Sequence, residues 1–218
     1  MTEMAEQSDT HEPLSQFDAD ALREVATIGA GHAATALAQL TGTTVRIAVP
    51  TIDVVAITEV PRLIGDQEEL MAGMYLRLVA EGSGAILLAF RREAALNLID
   101  LMIGRQTSKT HLLSELEQSA LREAGNILAG AFLSAISNFL NITLLASVPH
   151  LAFDMVGALI QSLLVESDVD RDYALVMYIR FESDCCELGG HFLMVPDGTT
   201  MEVFLKAIKE LSQCAGGV

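Results

Sequence analysis

The sequence predicts an α/β fold of the α+β type, internally duplicated, with pseudo-twofold halves that set two long helices on a shared β-sheet. Three observations lead there. The stretch LREVATIGAG, Leu22 to Gly31, returns 99 residues later as LREAGNILAG, Leu121 to Gly130. Identities continue at that one offset without a gap, among them Ala21/Ala120, Arg23/Arg122, Glu24/Glu123, Ala36/Ala135, Thr44/Thr143 and Pro50/Pro149. A fixed register of this kind is the mark of duplication. Segments rich in β-branched residues follow each copy in the same order, as strands of a sheet would.

The elements can be placed in turn. Residues 1–14 are polar and acidic and read as a tail. Ser15, with Asp18 three residues on, opens a helix that runs to about Leu40, and Gly42 is its natural stop. VRIAVPTIDVVAI reads as strand broken at Pro50. MAGMYLRLVA, EGSG and AILLAF read as strand, turn and strand, and Glu93 to Ile103 as a helix stopped by Gly104. Polar residues Gly104 to His111 form the linker between halves. Ser114 and Glu117 then make a capping box for a second long helix, reaching about Phe139. ITLLASVPHLAF and MVGALIQSLLVES read as strands, with Pro149 matching Pro50. DYALVMYIRFES and GGHFLMVP make a hairpin, and Thr200 to Ser212 a last helix. The expected unit is one domain, 15–212, made of two αββ-type repeats at about 15–104 and 112–212.

Composition narrows the function. A net charge of −16 argues against nucleic acid or an anionic membrane as partner. The segment Ile142 to Ile160 is the most membrane-like, but Pro149, His150 and Asp154 interrupt it, so buried strands are expected instead. The N-terminus lacks the pattern of a signal peptide. Cys185, Cys186 and Cys214 show no C-x-x-C spacing and read as structural thiols in a reducing, cytoplasmic setting. The five His residues have no ligand spacing with one another or with Cys, so no metal site is expected. TIGAGHAA is not a phosphate loop, because it lies inside a helical pattern and no Gly-Lys-Ser/Thr occurs.

The long helices carry one feature worth chemistry. Ser119, Glu123, Asn126 and Gly130 follow a 4, 3, 4 spacing, as do Asp20, Glu24, Thr27 and Gly31. Each set therefore shares one helical face. Leu116, Ala120, Ile127, Leu128 and Ala131 lie largely off that stripe and are expected in the core. A carboxylate and an amide stand side by side, with bare backbone one turn further on. A solvated face would also look like this. The glycines cost about 1 kcal/mol each relative to Ala, which either close approach of another surface or tight packing of one helix on the other would explain.

At these residues the chain resembles the CheC family of chemotaxis phosphatases, which includes CheX and the phosphatase part of FliY. The family motif is Asp or Ser, three residues, Glu, two residues, Asn, then 22 residues and Pro. Ser119, Glu123, Asn126 and Pro149 match it in full, whereas Asp20, Glu24, Thr27 and Pro50 match except at Thr27. IGAGHAATAL is similar to the family's first-helix signature, and the resemblance spans about residues 15 to 212. It implies a phosphorylated CheY-type receiver as substrate, bearing an acyl phosphate on Asp and supplying its own Mg²⁺, so that the phosphatase needs no cofactor. It also implies that Asn126 orients the attacking water and that Glu123 pairs with a receiver Lys. Glu24 and Thr27 would then form a degenerate second site. CheD, a receptor deamidase that partners some members, is a compatible second partner. A non-catalytic binder of phosphorylated CheY, as in the similar FliM, is the alternative.

Overall fold

A computed structural model of the protein describes residues 16–80, 83–105, 113–165, 173–183 and 187–215. The first half runs α1 (Gln16–Thr41), β1 (Val45–Ala56), a 3-10 turn (Ile57–Glu59) leading into α2 (Val60–Ile64), β2 (Leu70–Ala80), β3 (Gly84–Arg91) and α3 (Arg92–Ile103). The second half runs α4 (Glu115–Leu140), β4 (Leu144–Ala146), β5 (His150–Met155), α5 (Val156–Val165), β6 (Tyr173–Ser183), β7 (Glu187–Pro196) and α6 (Gly198–Ala215).

The halves interlock through one antiparallel sheet of order β1-β6-β7-β3-β2-β4, with β5 also on β2. The hairpins β2–β3 and β6–β7 meet at the centre through the β3–β7 pairing. Each half then lends its first strand to the other: β1 pairs with β6, while β4 and β5 pair with β2. Separating the halves would break four ladders. The shared sheet with its symmetric exchange is the predicted duplication made physical.

Both faces of the sheet are covered, so its central strands lose the one-sided alternation of an exposed sheet. In β3 the residues Ile86, Leu88 and Phe90 point into one core, and Ala85, Leu87 and Ala89 into the other. The first core is roofed by α1, α3, α4 and α6 through Leu37, Leu98, Phe132 and Phe204. The second is roofed by α2 and α5 through Val60, Ile64, Leu159 and Leu163.

Two sequence expectations need correction. MVGALIQSLLVES, expected as strand, contains α5. Its buried residues Val156, Leu159, Ile160 and Leu163 follow helical i, i+3, i+4, i+7 spacing, which the dense apolar run disguised. The short α2 was not expected at all. Pro61 stands in its first turn, where a missing N–H costs nothing, and Val60 and Ile64 are buried one turn apart. The first half is thus αβαββα and the second αββαββα, with β4 and β5 standing where the first half has β1, and α5 begins 99 residues after Ile57, at the duplication offset.

Pro50 and Pro149 have different outcomes. β1 runs on through Pro50, with its ladder slipping between Ala48 and Thr51. At Pro149 the strand breaks outright between β4 and β5. Proline cannot donate to a ladder; Pro50 lies on the edge strand β1 and Pro149 between β4 and β5 at the opposite edge, where that loss is tolerated. The second break is held to β2 by Ser147: its N–H donates to the Arg77 carbonyl at 2.9 Å, and its Oγ accepts from the Arg77 N–H at 2.9 Å.

The helix boundaries follow their signals. Ser114 Oγ accepts the Glu117 N–H, and Glu117 Oε2 accepts the Ser114 N–H at 2.7 Å, closing the capping box. Gly42 and Gly104, at φ 69° and 72°, take the left-handed geometry that ends α1 and α3. The N-terminal tail with Ser15, most of the inter-half linker, and Cys185 and Cys186 lie outside the described residues. Among the described residues no helix is long and apolar enough to cross a membrane.

One half-buried titratable group gives the fold a pH dependence. His191 on β7 packs its ring 5.2 Å from that of Tyr178, and among the described residues its Nδ1 has no hydrogen-bond partner. Burial, reinforced by the Arg91 charge, pushes its pKa down from 6.5 to about 4. Between those values the unfolded chain binds a proton that the folded chain refuses, so stability falls as pH falls through this window. The expected loss is up to about 3 kcal/mol by pH 4. Urea midpoints at neutral and acid pH should show a smaller difference in His191→Phe than in the wild type.

Candidate active site

α1 and α4 lie side by side on the first core, and the glycine that brings them together is Gly29. A Cβ at Gly29 would stand 2.8 Å from Phe132 Cδ1 and 3.1 Å from Phe132 Cα. Thr27 and Gly31 sit two residues to either side of that contact. Two residues turn an α-helix by about 200°, so both point away from α4. Gly130, two residues before Phe132, points away from α1 by the same count. The two motif stripes therefore face outward on opposite flanks of the helix pair.

Exposure bears out the stripes as surface. Asp20, Glu24, Thr27 and Gly31 are exposed, and so are Ser119, Glu123, Asn126 and Gly130. Between them, Leu22, Val25, Ala26 and Ala30 in α1, and Leu121, Ala124, Leu128 and Ala129 in α4, are buried. The duplication thus extends to environment as well as sequence. Leu116 is a correction: it was expected in the core but is 56% exposed, because it continues the stripe three residues before Ser119. Ala120, Ile127 and Ala131 are half-buried at the margin.

Helix packing does not explain Gly31 or Gly130. A Cβ at either would meet nothing within 4 Å. Gly130→Ala is therefore expected to stabilise the protein by about 0.5–1 kcal/mol, read as a raised denaturant midpoint. Retaining glycine there leaves the helix backbone open to something outside the chain.

The two stripes differ in what holds their polar groups. In α1, Thr27 Oγ1 donates to the Arg23 carbonyl at 2.7 Å, and Arg23 pairs with Asp20 at 2.8 Å. The hydroxyl proton is spent on the helix itself. In α4, Ser119 replaces Asp20 and leaves Arg122 without that ion pair. Among the described residues, the side chains of Glu123 and Asn126 form no hydrogen bond or ion pair. The carboxylate and amide are presented together, three residues apart, to the outside.

Pro149 is buried rather than on the stripe, whereas Pro50 is exposed. Pro149 lines a groove of about 510 Å³ between α4 and the β4–β5 break, together with Arg77, Arg122, Ser147, Val148 and His150. Sequence reading missed this groove. Its one signal was the Arg23/Arg122 identity beside the motif, whose two copies acquire different neighbours only on folding. A hollow of about 810 Å³ between α2, α3 and β7, lined by Arg62, Arg92 and His191 among others, contains no motif residue. Among the described residues no group of three or more His, Cys, Asp or Glu could hold a metal ion.

Comparison with known proteins agrees with this architecture. The model of the CheC-like family matches residues 17–53 and 116–151, which hold the two motif helices and the prolines after them. The CheY-P phosphatase CheC of Bacillus subtilis is 33% identical over 199 residues, covering 89% of this chain and 95% of that protein. The crystal structure of Thermotoga maritima FliY superposes with a TM-score of 0.72 at 19% identity, covering 90% of this chain and 98% of that one. The FliM middle domain from H. pylori gives 0.63 at 11% identity over 89% and 99%. These two structures share the fold. With a third of its positions identical to a CheC across nearly the full length of both, and both motif helices matched, the chain belongs to the CheC-like family.

Proposed function

We propose that this chain is a chemotaxis phosphatase that discharges the aspartyl phosphate of a CheY-type receiver, acting through Glu123 and Asn126 on α4. The observation that carries the reading is the outward presentation of Glu123 and Asn126 on one exposed helical face, their side chains without partners among the described residues. The printed name of the Bacillus subtilis relative, CheY-P phosphatase, supports the substrate class.

The chemistry suits so small a site. Phosphoryl transfer asks for positioning and charge stabilisation more than covalent help. The receiver supplies Mg²⁺ and a Lys, and this chain brings no cofactor. An amide has both donor and acceptor, so Asn126 can hold a water in line with the phosphorus. The water oxygen bonds to phosphorus, the bond to the aspartyl oxygen breaks, and the receiver carboxylate leaves. Glu123 pairs with the receiver Lys and fixes the docking register, a contribution that solvent keeps modest. Gly130 lets the receiver surface approach the helix backbone. Glu24 and Thr27 form the degenerate copy, since the Thr27 hydroxyl is shorter and already donates to Arg23. The segment 15–212 works as one domain in the cytoplasm with its receiver, and CheD is a second partner compatible with this role.

The test is phosphate release from a Mg²⁺-loaded, acyl-phosphorylated receiver with and without the protein. Acceleration supports the reading. Binding of the phosphorylated receiver without acceleration overturns it in favour of a non-catalytic binder.

A further inference from the structure

The groove beside α4 has a charge unlike that of the chain around it. The protein holds 29 acidic and 13 basic residues. Yet the groove is lined by Arg77, Arg122 and His150, and no Asp or Glu lines it. Among the described residues, neither Arg77 nor Arg122 is in an ion pair. Two unpaired guanidinium groups in so acidic a protein form a local positive field with no internal use.

The position of the groove is informative. Arg122 lies three residues after Ser119 and four before Asn126, so it neighbours both on the helix surface. It is half-buried, on the side of the stripe that faces the groove. Across the groove, the paired bonds of the Ser147 N–H and Oγ hold the Arg77 backbone on β2 against the strand break. Val148, 76% exposed, offers an apolar edge at the mouth. In the other half the matching arginine, Arg23, is neutralised by Asp20, and β1 runs on unbroken through Pro50. An open strand break and an unpaired arginine thus accompany the one copy that carries Asn.

We infer that this groove seats a carboxylate-bearing segment of the receiver beside its phosphorylation site, with Arg77 and Arg122 as positioning residues. The inference rests on the receiver reading above and adds a specificity surface to it. A receiver that binds Mg²⁺ brings oxygen ligands, carboxylates foremost, to that region. An acidic partner approaching a chain of net charge −16 is repelled except where cations are exposed. The groove turns that repulsion into orientation, because it admits the acidic segment on one flank of α4 only.

The test measures KM and kcat for the Mg²⁺-loaded, acyl-phosphorylated receiver at several ionic strengths. Wild type is compared with Arg77→Ala, Arg122→Ala, the double variant, Arg122→Lys and Arg23→Ala, with thermal melts to confirm folding. Each single Ala variant should raise KM about three- to five-fold at unchanged kcat. The double variant should lose most of the salt dependence of KM, Arg122→Lys should restore part of the loss, and Arg23→Ala should change nothing. A double variant with wild-type KM and salt slope would overturn the inference, as would a fall in kcat alone. Failure of the receiver reading looks different: the wild type then gives no hydrolysis. Titrating the same variants with the phosphorylated receiver would still decide the groove, an unchanged Kd in the double variant refuting it.

Discussion

Asn126→Ala should slow receiver dephosphorylation at saturating receiver by about 10²-fold or more, while the protein folds as before. The size follows from the role. Loss of one positioned hydrogen-bonding group at a reaction centre costs several kcal/mol of barrier, and here the water would lose both its donor and its acceptor. Intact folding follows from the structure: Asn126 is exposed and its side chain holds no internal hydrogen bond among the described residues. Surface substitutions of this kind usually change stability by less than about 0.5 kcal/mol, and Ala favours the helix. The measurement is a progress curve of phosphate release, with a denaturation curve alongside. KM should change little, because Glu123 and Gly130 still present the docking face. A KM effect alone would make Asn126 a docking residue.

Thr27→Asn in the Asn126→Ala background should recover at least about ten-fold of the lost rate. The two copies place their residues alike: Asp20, Glu24, Thr27 and Gly31 match Ser119, Glu123, Asn126 and Gly130 in exposure. A Cβ at Gly31 meets nothing, so a partner's approach is as open as at Gly130. What the first copy lacks is reach and a free donor, since the Thr27 hydroxyl bonds to the Arg23 carbonyl at 2.7 Å. An amide at that position extends beyond the helix and cannot be satisfied so close to the backbone. Full recovery is not expected, because the Arg23–Asp20 pair leaves that flank without the free cation present beside Asn126. Phosphate release from the double variant, against Asn126→Ala alone, measures the recovery. A double variant no faster than Asn126→Ala would mean the first stripe has lost its docking surface as well.

How far the sequence foretold this structure depended on the kind of information each element needed. α4 was legible because its signals are local: the Ser114/Glu117 box and the alternation of Leu121, Ala124 and Leu128 with Glu123 and Asn126. The interlocked sheet was anticipated only as a shared one, since which strand each half lends follows from long-range pairing. α5 was misread because Val156–Val165 is apolar almost throughout, and the distinction between strand and helix then rests on contacts the sequence does not display. Pro50 and Pro149 occupy matched positions, yet one shifts a ladder's register and the other breaks the strand. The groove beside Arg122 depends on that difference, and so escaped a reading built on the likeness of the halves. His191 gave no local sign either: its burial is set by Tyr178 and the neighbouring strands.

If the α4 stripe discharges a phosphorylated receiver, it does so through Asn126. The most direct measurement is the first-order decay of acyl phosphate on a Mg²⁺-loaded receiver mixed with excess wild type or excess Asn126→Ala. Decay should be fast with the wild type and close to the receiver's own rate with the variant. Equal acceleration by both proteins would contradict this and move the chemistry away from α4.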